Sequence, residues 1–232
     1  MPEALDRAGL ARVRDAFADA ARRAARLGID VVEVHAAHGY LLHSFLSPIT
    51  NRRDDAYGGS LGNRLRFPLE VAAAVRDVWP AQRALGARVN SRDFIEGGGT
   101  LDDTLAFAEG LKALGYDYVC LSSGSLVGGQ RFASHPGYLL PDAARVRAEL
   151  GIATQAVGLI VDAQAAEDAV ASGQTDLVAM ARAFLDDPRW VWHAAERLGA
   201  PIEYPAQYGP AHPSRWAAAT LRGQPSPAKA GA

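Results

Sequence analysis

The sequence predicts an α/β fold of parallel strands joined by helical crossovers. Three observations carry that prediction. Short apolar, often β-branched runs alternate with longer segments of helical periodicity. Glycines stand where the helical segments stop, at Gly28, Gly115, Gly173 and Gly199. Chemically active side chains gather where a strand run ends, above all in Glu33-Val34-His35-Ala36-Ala37-His38-Gly39-Tyr40. The carboxyl ends of parallel strands are where such proteins build their sites.

Most of Met1 to Leu27 reads as one amphipathic helix, with Leu10, Val13, Phe17, Ala20 and Ala21 at helical spacing among arginines and aspartates. Ile29 to Val34 is the first strand. An irregular loop from Ser47 to Asn63 contains Pro48, Gly58 and Gly59. Leu65 to Trp79 is the second helix, with Pro68 expected in its first turn and Pro80 just past its end. Ala87 to Asn90 is a strand, Glu96 to Gly99 a loop, and Thr100 or Asp102 caps a helix that runs to Leu114. Tyr116 to Leu121 is the third strand, leading into Ser122-Ser123-Gly124. A long connection to Tyr138 precedes a helix around Asp142 to Leu150. Thr154 to Val157 is a strand, Ala163 to Ser172 a helix, Asp176 to Met180 the fifth strand and Trp190 to Leu198 the last helix. From Pro201 the chain is rich in Pro, Gly and Ala, and it is expected to be extended or flexible beyond Trp216.

The strands read as runs buried on both faces. A (β/α) barrel and a doubly wound sheet both fit. No glycine-rich dinucleotide fingerprint follows the first strand, which weighs against a Rossmann domain. Five strands are found where a closed barrel of this kind has eight.

Composition narrows the function. The 232 residues suit one large α/β domain or two small ones. A formal charge of −2 gives no broad basic face for nucleic acid or an acidic membrane. One Cys and six His argue against a disulfide framework and against a cysteine-built zinc site. Met1 to Arg26 lacks the apolar core of a signal peptide, and no apolar run approaches the ~20 residues that span a bilayer. The expectation is a reduced, soluble, cytoplasmic protein.

His35 and His38 are two donors that can aim at one oxygen. They can also share a metal ion, although Glu33 is the only nearby acid and no third ligand is evident. A pair of hydrogen-bonded loop histidines is the plain alternative. Tyr40 stays protonated near pH 7, with a phenol pKa of ~10, and can give up a proton as a general acid; a packed aromatic is equally compatible. Arg88 lies inside a strand, where a charge is costly unless paired. It faces either an anion or electron-rich ring, or a neighbouring carboxylate. Gly158 and Ala181-Arg182 follow the last two strands. Backbone N–H groups and an arginine there suit a phosphate, while turn packing and a surface arginine explain them as well. Ser122, Ser123 and Gly124 are lesser candidates for cofactor or wall contacts, and an ordinary turn explains them as well. Asn51 to Asp55 and Tyr57 to Ser60 read as a structural cover.

The run HAAHGYLLHSFLSPITNRRDDAYGGSLGNRLRF, His35 to Phe67, closely resembles the signature of the old yellow enzyme family. These are FMN-dependent NAD(P)H oxidoreductases with a TIM (β/α)8-barrel fold. The two-histidine form resembles the bacterial xenobiotic-reductase branch. The likeness continues through Ala87-Arg88-Val89, Ser122-Ser123-Gly124, Gly158-Leu159-Ile160 and Met180-Ala181-Arg182 to about Tyr208.

The resemblance implies FMN as cofactor and NADPH or NADH as hydride donor. It implies an ene-reductase that acts on small activated alkenes (enones, maleimides) or nitro compounds in a ping-pong cycle. His35 and His38 are implied to bind the substrate oxygen, Tyr40 to protonate the α-carbon, and Arg88 to flank the flavin pyrimidine ring. Gly158, Ala181 and Arg182 are implied to grip the phosphate, with alanine at a position where the family more often has glycine. Residues 1–208 correspond to the C-terminal portion of the barrel, and 209–232 form a Pro/Ala-rich tail. What matches resembles strands four to eight; the family's first three strands have no counterpart. The resemblance therefore implies a partial barrel. It is either an enzyme, alone or as an oligomer, or a remnant without turnover or completed by another chain in trans.

Overall fold

In the computed structural model, which describes residues 3–124, 126–128 and 134–221, five strands form one parallel sheet. They are β1 (Val32–Ala36), β2 (Leu85–Asn90), β3 (Tyr118–Ser122), β4 (Ala153–Ala156) and β5 (Leu177–Val178). Each strand pairs with the next in sequence, in the order β1-β2-β3-β4-β5. A doubly wound sheet reverses its order at a switch point; this sheet does not. It is an arc of a (β/α) barrel, and the doubly wound alternative falls away.

The helices are α1 (Arg7–Arg26), α2 (Leu41–Leu46), α3 (Leu61–Val78), α4 (Leu101–Ala113), α5 (Leu140–Leu150), α6 (Ala163–Ala171), α7 (Arg182–Asp186) and α8 (Trp190–Leu198). Local chemistry sets their starts. Asp6 accepts from the Gly9 amide and begins α1. Thr100 and Asp103 form a reciprocal capping box on α4, which decides between Thr100 and Asp102. Ser60 caps α3 a turn earlier than expected, so Pro68 lies inside the helix and not in its first turn. The short α2 and α7 carry too few residues to show a period, and the pattern does not reveal them.

The expectation of strands buried on both faces holds for most of β2 and β3 and fails for β1 and β4. Val34, Ala36, Ala87, Val89, Val119, Leu121, Thr154 and Ala156 face the helices and are buried. They join Phe67, Val71, Phe107, Leu111 and Val146, except that Thr154 lies outside this apolar cluster. Of the alternate residues on the opposite face, Glu33, His35, Arg88, Tyr118 and Gln155 are at least partly exposed, whereas Cys120 is fully buried. β1 also starts later than expected. Ile29 and Val31 lie outside it and are each 45% exposed, because β1 is an edge of the arc.

The chain divides into two units, Met1–Arg182 and Ala183–Ala232. The first holds the sheet. The second contains α8, ended by Gly199 in the left-handed region, and an aromatic group in which Trp192 stacks on Tyr204 at 4.1 Å. Three 3-10 turns, Ala206–Ala211, Pro213–Arg215 and Ala217–Leu221, follow. The expected boundary at residue 208 falls within this second unit. Residues 222–232, the end of the expected flexible tail, lie outside the described residues.

Candidate active site

All the candidate residues except His35 and Arg88 lie in segments that follow the carboxyl ends of strands. His35 was expected just past a strand but lies within β1, in register with Arg88 of β2. β1 ends at Ala36, and the chain turns through His38 and Gly39, whose φ angles are 61° and 73°. Glycine takes that conformation freely; a non-glycine residue there costs about 1–2 kcal/mol. Two hydrogen bonds hold the turn. The His38 amide donates to Asn90 Oδ1 at 3.0 Å, and the Gly39 amide donates to His43 Nδ1 at 2.9 Å. Tyr40, 64% exposed, then caps the start of α2. The three rings converge: His35 lies 5.1 Å from His38 and 5.2 Å from Tyr40, between centroids.

Arg88 rises from the middle of β2. Its Nη2 donates to Ser122 Oγ at 3.3 Å, and the same hydroxyl lies 2.7 Å from His38 Nε2. Arg88 Nε is buried with no hydrogen-bond partner, and Arg88 is in no ion pair among the described residues. The alternative of a carboxylate partner is therefore not what is found. Glu33 supplies only a longer-range negative charge. Its carboxyl is pushed up by burial, against a hydrogen bond from Tyr118 and the attraction of Arg88. Tyr118 reaches Glu33 by lying across Gly86, where a Cβ would sit 2.2 Å from its Cζ. Cys120, beside Arg88 in register, has its thiol pushed up to about 12 by burial and by Glu33, so it stays protonated and poorly nucleophilic.

Burial and then the Arg88 charge lower both imidazoles, His38 to about 4. At neutral pH each is uncharged, with one N–H to donate and one nitrogen to accept. Among the described residues no three His, Cys, Asp or Glu side chains are placed to hold a metal ion.

Three residues of this cluster were not singled out from sequence, Asn90, His43 and Asp93, while Ser122 was marked only as part of a lesser candidate for cofactor or wall contact. His43 Nε2 lies 2.9 Å from Asp93 Oδ1, and Ser47 Oγ and the Gly99 amide each donate to Asp93 Oδ2 at 2.6 Å. Burial opposes ionisation of Asp93, but the hydrogen bonds from His43, Ser47 and Gly99 outweigh it and hold its carboxyl below the usual range. The available signal was Asn90-Ser91-Arg92-Asp93, a polar run at a strand end. His43 sits in the short α2 and gave no signal.

The remaining candidates lie after β3, β4 and β5. Ser123 Oγ donates to the Arg92 carbonyl and lies 3.2 Å from Ser91 Oγ; Gly124 has φ 105°. Gly158, at φ 118°, packs on Tyr138, whose Cε1 would sit 2.8 Å from a Cβ there. Ala181 is exposed, as is Arg182 at the start of α7, and the Arg182 charge acts on the Tyr138 phenol. The structure thus brings His35, His38, Tyr40, Arg88 and Ser122 into one group, and Gly158 and Arg182 around Tyr138.

A family model described as NADH:flavin oxidoreductase / NADH oxidase matches residues 1–200. The chain belongs to this flavin oxidoreductase family. It is 44% identical over 207 residues to an NADPH dehydrogenase of Geobacillus thermodenitrificans, covering 89% of this chain and 60% of that protein. Morphinone reductase in complex with tetrahydroNAD is 31% identical, with a TM-score of 0.68 over 88% of this chain and 53% of that one. An old yellow enzyme homologue from Zymomonas mobilis is 26% identical, with a TM-score of 0.69 over 87% of this chain and 55% of that one. The chain spans about 60% of the length of the curated flavin oxidoreductases it matches. The old yellow enzyme resemblance is therefore a family relationship, and the arc of five strands is a partial TIM barrel.

Proposed function

We propose that this chain carries the reactive face of an FMN-dependent NAD(P)H oxidoreductase that reduces activated C=C bonds of enones, maleimides or nitro compounds. The observation that carries the reading is the convergence of His35, His38 and Tyr40 beside Arg88, whose buried Nε has no hydrogen-bond partner among the described residues. A buried orphan donor is costly, and the electron-rich pyrimidine edge of a flavin matches it in charge and in hydrogen-bonding sense. FMN, when bound, supplies the two-electron redox chemistry that imidazole, phenol and guanidinium lack.

The chain's own residues do the rest. Arg88 holds a fixed positive charge at the ring edge. Gly158, Ala181 and Arg182 offer backbone N–H groups and a cation to the phosphate, with Ser123 and Gly124 as wall. His35 and His38, both neutral, donate N–H bonds to the carbonyl or nitro oxygen and draw charge out of the double bond. Tyr40 gives its phenolic proton to the α-carbon as the β-carbon gains a hydride. Nicotinamide and alkene take turns in one pocket, which is the ping-pong order. A cytoplasmic setting suits the single, free Cys120.

The test is the visible spectrum of the purified chain with added FMN. Flavin bands that travel with the protein through gel filtration, and bleach with NADPH, support the reading; colourless protein defeats it. His35→Ala with His38→Ala should weaken phenol binding more than FMN binding, and equal loss of both would remove the donor assignment. A second reading comes from the unpaired edges of β1 and β5. In it the chain turns over only when another chain or a second copy completes the arc, or not at all. Flavin bands confined to an oligomeric fraction favour completion, and flavin-free protein in the void volume favours the remnant.

A further inference from the structure

Asp93 reaches none of the reacting groups and is 1% exposed. Its amide donates to the Gly99 carbonyl at 2.9 Å, so loop and carboxylate hold each other in place. Its Oδ1 faces two side chains, His43 Nε2 at 2.9 Å and Asn90 Nδ2 at 3.4 Å. Both of those side chains end on the same turn. Asn90 Oδ1 accepts from the His38 amide, and His43 Nδ1 accepts from the Gly39 amide.

A peptide N–H can only donate. His43 Nδ1 therefore carries no proton, and the ring proton sits on Nε2, aimed at Asp93. By the same reasoning the Asn90 oxygen faces His38 and its NH2 faces the carboxylate. One anion thus sets the tautomer of one residue and the amide orientation of another. Those two residues capture successive N–H groups of a left-handed turn that is unfavourable for His38. His43 and Asp93 are buried, so water cannot replace the carboxylate.

We propose that Asp93 is a positioning residue for the His38 imidazole, acting through Asn90 and His43. Without the anion, Asn90 is free to rotate and His43 to change tautomer. Either event sets a donor against a donor at the turn. The turn then relaxes, and the His38 ring leaves Ser122 and its place beside His35. The value of this arrangement for catalysis rests on the substrate-oxygen role given to His38 above, so the test has a part that needs no flavin.

In the flavin-free chain, the His38 imidazole is titrated by NMR. Asp93→Asn should raise its midpoint from about 4 by about one pH unit, as the ring moves toward solvent. Ser47→Ala removes another hydrogen bond to the same carboxylate without touching Asn90 or His43, and should leave the midpoint in place. In the FMN-loaded chain, Asp93→Asn should weaken p-nitrophenol about tenfold and FMN less than about twofold. Combined with His38→Ala, it should add nothing to the loss caused by His38→Ala alone. An unmoved midpoint in folded Asp93→Asn, or additive losses, overturns the proposal. Should Asp93→Asn not fold, His43→Gln, which keeps an acceptor and a donor, must preserve the midpoint and His43→Leu must raise it; equal midpoints overturn the proposal. A wild-type chain that binds no flavin defeats the functional reading, while the flavin-free titration still decides on Asp93.

Discussion

The two faces of the sheet are made by the same five strands, yet they share almost no chemistry. The covered face is Val, Ala and Leu with one buried Thr. The open face carries a carboxylate, an imidazole, a guanidinium, a phenol and an amide, Glu33, His35, Arg88, Tyr118 and Gln155, together with the buried thiol of Cys120. Alternation along a strand allows this, since neighbours point to opposite sides. The difference teaches that stability and reactivity occupy separate sets of positions one residue apart. A substitution should therefore disturb one and spare the other.

The largest effect is expected on the covered face. Leu121→Ala opens a cavity in a fully buried site and should cost about 2–5 kcal/mol, read as a lower urea midpoint. Gly86→Ala should cost about 1–3 kcal/mol. It is the exception on the open face, because a Cβ there meets the Tyr118 ring. Adding Tyr118→Ala should restore much of the loss; no restoration would mean that the ring is not the obstacle.

Acid comes next. His38 titrates near 6.5 when unfolded and near 4 when folded, so the unfolded chain takes up the proton first. Stability should fall as pH drops from about 6.5 to about 4, and level off below. The half-exposed ring limits this to roughly 1 kcal/mol. His38→Ala should remove that part of the slope in pH-dependent unfolding.

Arg88→Ala should change stability least, within about 0.5 kcal/mol, since among the described residues Arg88 has no ion pair and its Nε no hydrogen-bond partner. Under the proposed function the variant should also lower the potential of bound flavin by about 30 mV or more, tenfold in a two-electron equilibrium. A large stability loss with an unchanged potential would assign Arg88 to the scaffold and blur the distinction between the faces.

The covered face was easy to read in the sequence, because apolar runs, Gly stops and helix caps are local signals. Five strands and the long helices α1, α3, α4 and α5 follow from them. Strand ends were less legible. β1 begins three residues later than Ile29, because an edge strand loses the burial that an apolar run suggests. The candidate residues that motif and resemblance mark, His35, His38, Tyr40 and Arg88, do meet in space. Of those that hold them, Ser122 was marked only as a lesser candidate for cofactor or wall contact, and Asn90, His43 and Asp93 were not legible. The contacts of these three span from 3 to 52 residues, and nothing local distinguishes a supporting Asp from a surface one.

The Ser122 hydroxyl has one proton and two lone pairs, and it serves two masters. Arg88 can only donate to it, which leaves its own proton free for His38 Nε2. A group that draws the Arg88 guanidinium away changes the hydrogen bond that His38 feels. A group that engages His38 Nε2 changes what Ser122 returns to Arg88. Thermodynamic reciprocity requires the two effects to be equal in free energy. One serine side chain is thus a line of communication between the arginine and the histidine, and whatever is bound at either end reports to the other.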